Sequence, residues 1–290
     1  MQGLPKFTYI EPSTINEAVS LSHKYGVAAK VFAGGLDLVP RLRLRKIELN
    51  YLISIQRIPG LDYIIDEGEN GLRIGAMTVL HAIETSSAVR DRYNVLYEAV
   101  SSIASLQVKM MGTVVGNLCV ATPASDIAPS LIVLDSTIRI AGPKGERAIP
   151  VENLFKTVGQ TTLRKGEIVT EILIPPCKPN STAGFAKLIR TASDIAKVNV
   201  AVSMVLSNNI CQGARIALGS VAPTTIRAPC AEALLEGKTI TSVLIDQVAN
   251  QASKESKPID DIRSTAEYRR HAAGILIKRL IEKLIRSKRL

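Results

Sequence analysis

The chain has 290 residues, with 36 lysines and arginines against 26 aspartates and glutamates, and a formal net charge of +10. Apolar residues at 46% and charged residues at 21% exclude extended disorder and a collagen-like fibre, and the length suits two domains or one large one. No stretch approaches the roughly 18 to 20 uninterrupted apolar residues of a membrane-spanning helix. The opening MQGLPKFTYIEP lacks the basic-then-apolar layout of a secretion signal, so a cytoplasmic protein is expected.

The first hundred residues suggest short α/β units. A strand over 6–9 precedes Thr14, which forms a capping-box signature with Glu17 ahead of apolar positions Ala18, Leu21 and Tyr25. A helix over 15–24 ending at Gly26 follows. Residues 27–32 predict a largely buried strand that runs into Ala33, Gly34 and Gly35, and then a helix over 37–45. Further strands are expected at 51–55 and 72–76, a helix opened by Thr78 across 80–84, and another helix over 96–106. The stretch 112–128, GTVVGNLCVATPASDIA, is small, polar and turn-forming, which places it where backbone closely approaches a ligand or another segment. Asp126 is expected to open a helix through Leu134, Pro143-Lys144-Gly145 a hairpin, and 168–174 a strand stopped by Pro175 and Pro176. Three antiparallel strands, 184–190, 198–206 and 210–221, then lead to helices at 231–235, 242–255 and 266–286, with Asn208-Asn209 as a turn. The expected fold class is α+β: residues 1–177 form a first domain, and 178–290 a smaller one with an antiparallel sheet covered by helices.

The charge is concentrated near the end of the chain. Between Arg269 and Arg289 eight lysines and arginines face one acid, Glu282, while Ala273, Ile277, Leu280, Ile281 and Leu284 recur at helical spacing. An apolar stripe docked on the body with the bases turned outward is expected, and not a nucleic-acid surface. The run Arg41, Arg43, Arg45 and Lys46 lacks the interleaved aromatics that stack bases. Cys119, Cys177, Cys211 and Cys230 form no C-x-x-C pair, and His23, His81 and His271 lie near no second ligand, so no metal site is expected.

Two glycine-bearing turns remain. Ala33-Gly34-Gly35 can present successive N–H groups to an anion. Gly112, Thr113, Gly116 and Asn117, followed by Thr122 and Asp126, add a hydroxyl, an amide and a carboxylate. Neither turn is a G-x-G-x-x-G or a Walker loop. Together they suggest an extended, phosphate-bearing ligand held between them.

Five segments in order carry a resemblance: AGGLDLVPRLRLR at 33–45, LISIQRIPGLDYI at 52–64, IGAMTVLHAIE at 74–84, SIASLQVKMMGTVVGNLCVATPASDIAPSLIVLDS at 102–136 and FAKLIRTASDIAKVNVAVS at 185–203. On these the sequence resembles the FAD-binding middle subunit of the molybdenum hydroxylases, the xanthine dehydrogenase and carbon monoxide dehydrogenase group. The resemblance implies a two-subdomain flavin domain of the p-cresol methylhydroxylase type followed by the smaller α+β domain. It implies that Val31, Phe32, Ala33, Gly34, Gly35, Leu36, Asp37 and Leu38 wrap the FAD pyrophosphate. Thr113, Gly116 and Asn117 would bind on the other side, and Asp126 would reach the ribityl or adenosine part. Ile103 and Val169 would lie near the cofactor, and Lys187 would contact the flavin.

The same resemblance implies an electron-transfer subunit. Electrons would come from 2Fe-2S clusters on a small partner, after substrate oxidation at a molybdopterin centre on a large partner, and would leave to an external acceptor. FAD is expected to be non-covalent, because no histidine sits in either glycine turn. Three departures stand out: Lys109 and Met110 replace Arg and Asn, Leu36 takes the place of a usual Thr or Ser, and Val115 replaces a glycine. A valine at positive φ is strained, so a shifted backbone is expected at 113–117. A flavin-free interaction subunit of the same complex is the alternative.

Overall fold

The computed structural model describes residues 3–288; Arg289, counted in the basic run above, lies outside the described residues. Three sheets of three or more strands organise the fold among the described residues, beside a two-stranded hairpin of Phe155–Thr157 and Gln160–Thr161. A parallel sheet has the order Thr8–Ile10, Tyr51–Ser54, Ala29–Phe32. An antiparallel sheet of five strands has the order Ile64–Asp66, Leu72–Gly75, Ile168–Ile174, Thr137–Gly142, Gly145–Pro150. A four-stranded antiparallel sheet, Ser181–Leu188, Val198–Ser207, Ile210–Gly219 and Ile226–Arg227, carries the last third of the chain.

The helices form where their caps and apolar spacing predict. Thr14 accepts the N–H of Glu17, and the Glu17 carboxylate returns to the N–H of Ser13, so two otherwise orphaned donors at the start of Ile15–Tyr25 are satisfied. That helix stops at Gly26, at φ 54°. Behind Asn208 and Asn209, both at positive φ, the strands Val198–Ser207 and Ile210–Gly219 pair antiparallel, with one register shift between Val205 and Leu206. The helices Ser242–Glu255 and Ala266–Lys288 cover one face of this sheet with Val248, Ala273, Ile277 and Ile281, all fully buried.

Several expectations change in the folded chain. The strand expected over 27–32 begins only at Ala29; Gly26–Ala28 form a 3₁₀ turn with Val27 96% exposed, because the helix exit at Gly26 throws the chain to the surface. The helix expected over 96–106 is two helices, Asn94–Ser101 and Leu106–Met111. Ser102 donates its hydroxyl to the carbonyl of Ala99 and Ala104 takes φ 36°, so the backbone turns out of the helix there. The stretch 112–128 is not all loop: Val114–Cys119 is a helix whose cap, Thr113, accepts the N–H of Gly116. Val115 therefore has helical backbone and the expected shift does not arise. Thr78 does not cap the helix Leu80–Thr85; its hydroxyl is bonded to the backbone of Tyr63. Arg269 in the terminal helix does not face outward but is buried, because its guanidinium donates to the carbonyl of Ser220 and to Asp261.

A buried carboxylate pins the middle of the five-stranded sheet. Glu171 accepts from Tyr63 Oη at 2.6 Å and Arg73 Nε at 2.5 Å, and lies 3.2 Å from Arg139 Nη1. Burial and the facing carboxylate push the Tyr63 phenol up to about 12, so it remains a donor. Replacing Glu171→Ala leaves the Tyr63 and Arg73 donors without their acceptor and removes the charge beside Arg139. The two arginines are partly exposed, so the expected loss is about 2 kcal/mol, read from the urea midpoint.

Candidate functional site

A cavity of about 670 Å³ opens between the parallel sheet and the five-stranded sheet, a size within the roughly 300–1,000 Å³ of cofactor and small-molecule sites. One wall is the end of the strand Ala29–Phe32 and the turn that follows; the other is the segment from Gly112 to Thr122. Ile55, Leu80, Ile103, Leu163, Ile168 and Val169 supply apolar lining.

The two walls touch through glycine. A Cβ on Gly34 would stand 2.1 Å from the carbonyl oxygen of Met111, so only glycine lets the first turn lie against the second. Gly35 adopts φ 74° over the ring of Phe32. No acceptor among the described residues takes the N–H of Gly34, Gly35, Leu36 or Asp37. Buried or half-buried backbone donors are normally paired, so four successive free donors at a cavity wall fit an anionic group such as a pyrophosphate. Gln56 Nε2 donates to the carbonyl of Ala33 at 2.9 Å, which holds the start of the turn.

Val31, Phe32, Ala33, Gly34, Gly35, Leu36, Asp37, Leu38, Ile103, Thr113, Gly116, Asn117 and Val169 all line the cavity. Asp126 and Lys187 do not. They form a buried ion pair behind the wall, Nζ to Oδ2 at 2.6 Å. Burial holds the Asp126 carboxyl above its ordinary value, opposed by the Lys187 ammonium and by the Asn199 amide. The pair is tied to the cavity at two points. Lys187 Nζ donates to the carbonyl of Ser102 at 3.2 Å, next to Ile103. Asn199 donates to Asp126 and to the carbonyl of Ser125, whose hydroxyl in turn meets Asn117 Oδ1 at 2.6 Å. Lys109, buried against Glu84, reaches the carbonyl of Ser101 at 3.5 Å, so two ammoniums end the helix Asn94–Ser101 at its negative pole.

Sequence reasoning missed other lining residues. Val115 and Cys119 face the cavity because the segment is helical, which its small residues concealed. Gly159 and Glu167 come from a hairpin and a turn with no recognisable motif. Burial pushes the Cys119 thiol up to about 12, so it is protonated and unreactive at neutral pH.

With its glycine-built walls and free donors, the fold defines a cofactor-binding protein with a cavity at the junction of two sheets. Residues 5–177 match the family described as the FAD binding domain in molybdopterin dehydrogenase, and residues 183–284 match the CO dehydrogenase flavoprotein C-terminal domain. The chain belongs to this family of FAD-binding oxidoreductase subunits. It is 35% identical over 277 residues to the carbon monoxide dehydrogenase medium chain of Hydrogenophaga pseudoflava, covering 96% of each chain. It is 31% identical to the glyceraldehyde dehydrogenase medium chain of Sulfolobus acidocaldarius, over 94% of this chain and 96% of that one. The structure superposes on a carbon monoxide dehydrogenase structure from Hydrogenophaga pseudoflava with a TM-score of 0.94, covering 98% of both chains. Among the described residues no helix is long and apolar enough to cross a membrane.

Glu167 at the cavity edge gives a pH signature. Arg147 grips it through two bonds of 2.7 Å and the N–H of Arg164 adds a third at 2.6 Å, so the arginine fork and the backbone bond hold its carboxyl below the usual value. Its stabilising contribution is complete above the ordinary carboxylate range and is lost as pH falls through the depressed folded value. Glu167→Gln is expected to lower the urea midpoint at pH 7 and to flatten its decline between about pH 5 and pH 3.

Proposed function

We propose that the chain is the FAD-binding electron-transfer subunit of a molybdenum hydroxylase complex. In this reading a partner subunit carrying 2Fe-2S clusters supplies electrons, a large molybdopterin-bearing subunit oxidises the substrate, and an external acceptor takes the electrons. Residues 1–177 form the flavin domain and 178–290 the C-terminal domain, and the complex resides in the cytoplasm. The observation that carries the reading is the row of free N–H groups from Gly34 to Asp37 in a cavity of cofactor size.

Bound FAD supplies a carrier that exchanges electrons singly or in pairs, and the protein's share is to bind, orient and tune it. The Gly34–Asp37 donors hold the pyrophosphate in place of water, and Thr113, Gly116 and Asn117 face it from the second wall. Ile103 and Val169 give the ring an apolar seat that excludes water. Lys187 acts through Ser102, and Asp126 through Asn199 to Ser125 and Asn117, holding the walls in place for the cofactor. The Cys119 thiol, protonated at neutral pH, is a poor nucleophile toward the ring and supports non-covalent binding. The helical backbone of Val115 supports the flavin-loaded reading over a flavin-free subunit, since the valine sits there unstrained.

The test is an absorption spectrum of the purified chain from about 300 to 550 nm, followed by acid release. Flavin bands with FAD in the supernatant are the expected result; a colourless chain that takes up no added FAD overturns the reading. Gly34→Ala forces the two walls apart and is expected to weaken FAD binding at least about tenfold with the circular dichroism spectrum unchanged, measured by flavin fluorescence titration.

A further inference from the structure

The turn from Ala33 to Leu38 is fastened at its two ends and bare between them. Gln56 takes the carbonyl of Ala33, and Leu38 packs on the small core of Leu42, Leu49 and Leu52. Between these points stand two glycines, whose backbone has the most freedom to lose on ordering, and no N–H from Gly34 to Asp37 is bonded. Two side chains remain to hold the stretch. The Asp37 carboxylate turns back to Arg41, one turn on, at 3.2 Å; both groups are open to water, and the pair fastens nothing to the second wall. Leu36 crosses the gap instead. A Cβ on Gly112 would stand 3.0 Å from Leu36 Cδ1 and 3.3 Å from Leu80 Cδ1, so the two leucine tips converge on the bare Cα of Gly112, and all three residues line the cavity.

A leucine 37% exposed on a turn is ordinary in itself. Its position here is not. Gly112 follows Met111, whose carbonyl receives Gly34, so the first turn meets the second wall at two adjacent residues, once by backbone and once by side chain. The missing side chain of Gly34 permits the approach but holds nothing in place; the Leu36 contact supplies dispersion and apolar burial. Leu36 also carries the third of the four free N–H groups, so a hold on its side chain acts directly on the donor row. We propose that Leu36 is a positioning residue for the cofactor, a latch that pins the glycine turn to the second wall so that its N–H groups stay aimed into the cavity and bound FAD is released slowly. This role rests on the function proposed above. Ordering a flexible turn before binding lowers the cost of binding, and the gain falls chiefly on the dissociation rate, because departure requires the latch to open. An apolar latch is indifferent to salt, whereas a hold exerted by the Asp37–Arg41 pair is screened by it.

The test uses the full chain loaded with FAD and follows release as the return of free-flavin fluorescence on dilution, with association measured separately by stopped flow. Leu36→Ala is expected to speed release at least about tenfold and to change association less than about threefold, with the same ratio at low and high salt. Leu36→Met, which keeps the volume and the reach, is expected to restore slow release. Gly112→Ala crowds the leucine tip and is expected to speed release from the otherwise unaltered chain. In the Leu36→Ala chain, where that space is open, it is expected to add little, so the two effects are not additive. Release from Leu36→Ala at the wild-type rate overturns the latch, as does equally fast release from Leu36→Met or full additivity with Gly112→Ala. A difference that vanishes at high salt overturns it too, since the hold then belongs to Asp37 and Arg41. A wild-type chain that takes up no FAD overturns the proposed function and the latch with it, whereas slow release from every variant alike overturns the latch alone.

Discussion

The buried set of Asp126, Lys187 and Asn199 is the constraint on which the arrangement depends. Lys187 and Asn199 stand on adjacent strands of the C-terminal four-stranded sheet and are directly paired in its register, while Asp126 precedes the helix Ile127–Val133 of the first half. A carboxylate removed from water is tolerable only with a cation and hydrogen bonds around it, so neither half of the chain can bury its share alone. The pairing fixes the halves together, and through Ser102, Ser125 and Asn117 it passes that fixation to the cavity walls. A lone lysine or aspartate at either position would be a buried charge without a partner.

Glycine supplies the complementary constraint at the other side of the cavity. The approach of Gly34 to the carbonyl of Met111 brings two backbones together at a distance that any side chain would forbid. Because the turn makes no internal bonds for its N–H groups, its polarity is left for a ligand. Rigid walls and unspent donors together describe a preorganised cavity, the property that lets a ligand bind with little lost to rearrangement.

The same logic appears at the far end of the chain, where the ion pair of Asp261 with Arg269 fixes a loop that shows isoleucine to solvent. In each place a charge pair with a buried cation orders the backbone beside it: Ser102 next to Ile103 at the cavity, and residues 261–264 at the surface. The Arg92 to Asp66 pair does something plainer, joining the helix Ser87–Arg92 to the strand Ile64–Asp66 at the surface.

Much of this was legible in the sequence, for local reasons. Thr14 and Glu17, the proline pair after Ile174 and Asn208-Asn209 are signals read within a few residues, and the five ordered segments identified the family and with it the cavity lining around Gly34 and Asn117. What the sequence could not determine were features whose cause lies elsewhere in the chain. The break after Ser101 depends on Lys109 and Lys187 arriving from other elements to hold the carbonyls of Ser101 and Ser102. Val115 reads as a misfit beside its glycines until a helix gives it ordinary backbone, and Glu167 reaches the cavity from a turn that no motif marks. Arg269 counts as one more surface base until Asp261 folds back upon it. Spacing along the chain determined the elements and the chemistry of the turns; only tertiary packing, by setting which charges lose water and which partner each then requires, decided which residues touch the cavity and which stand behind it.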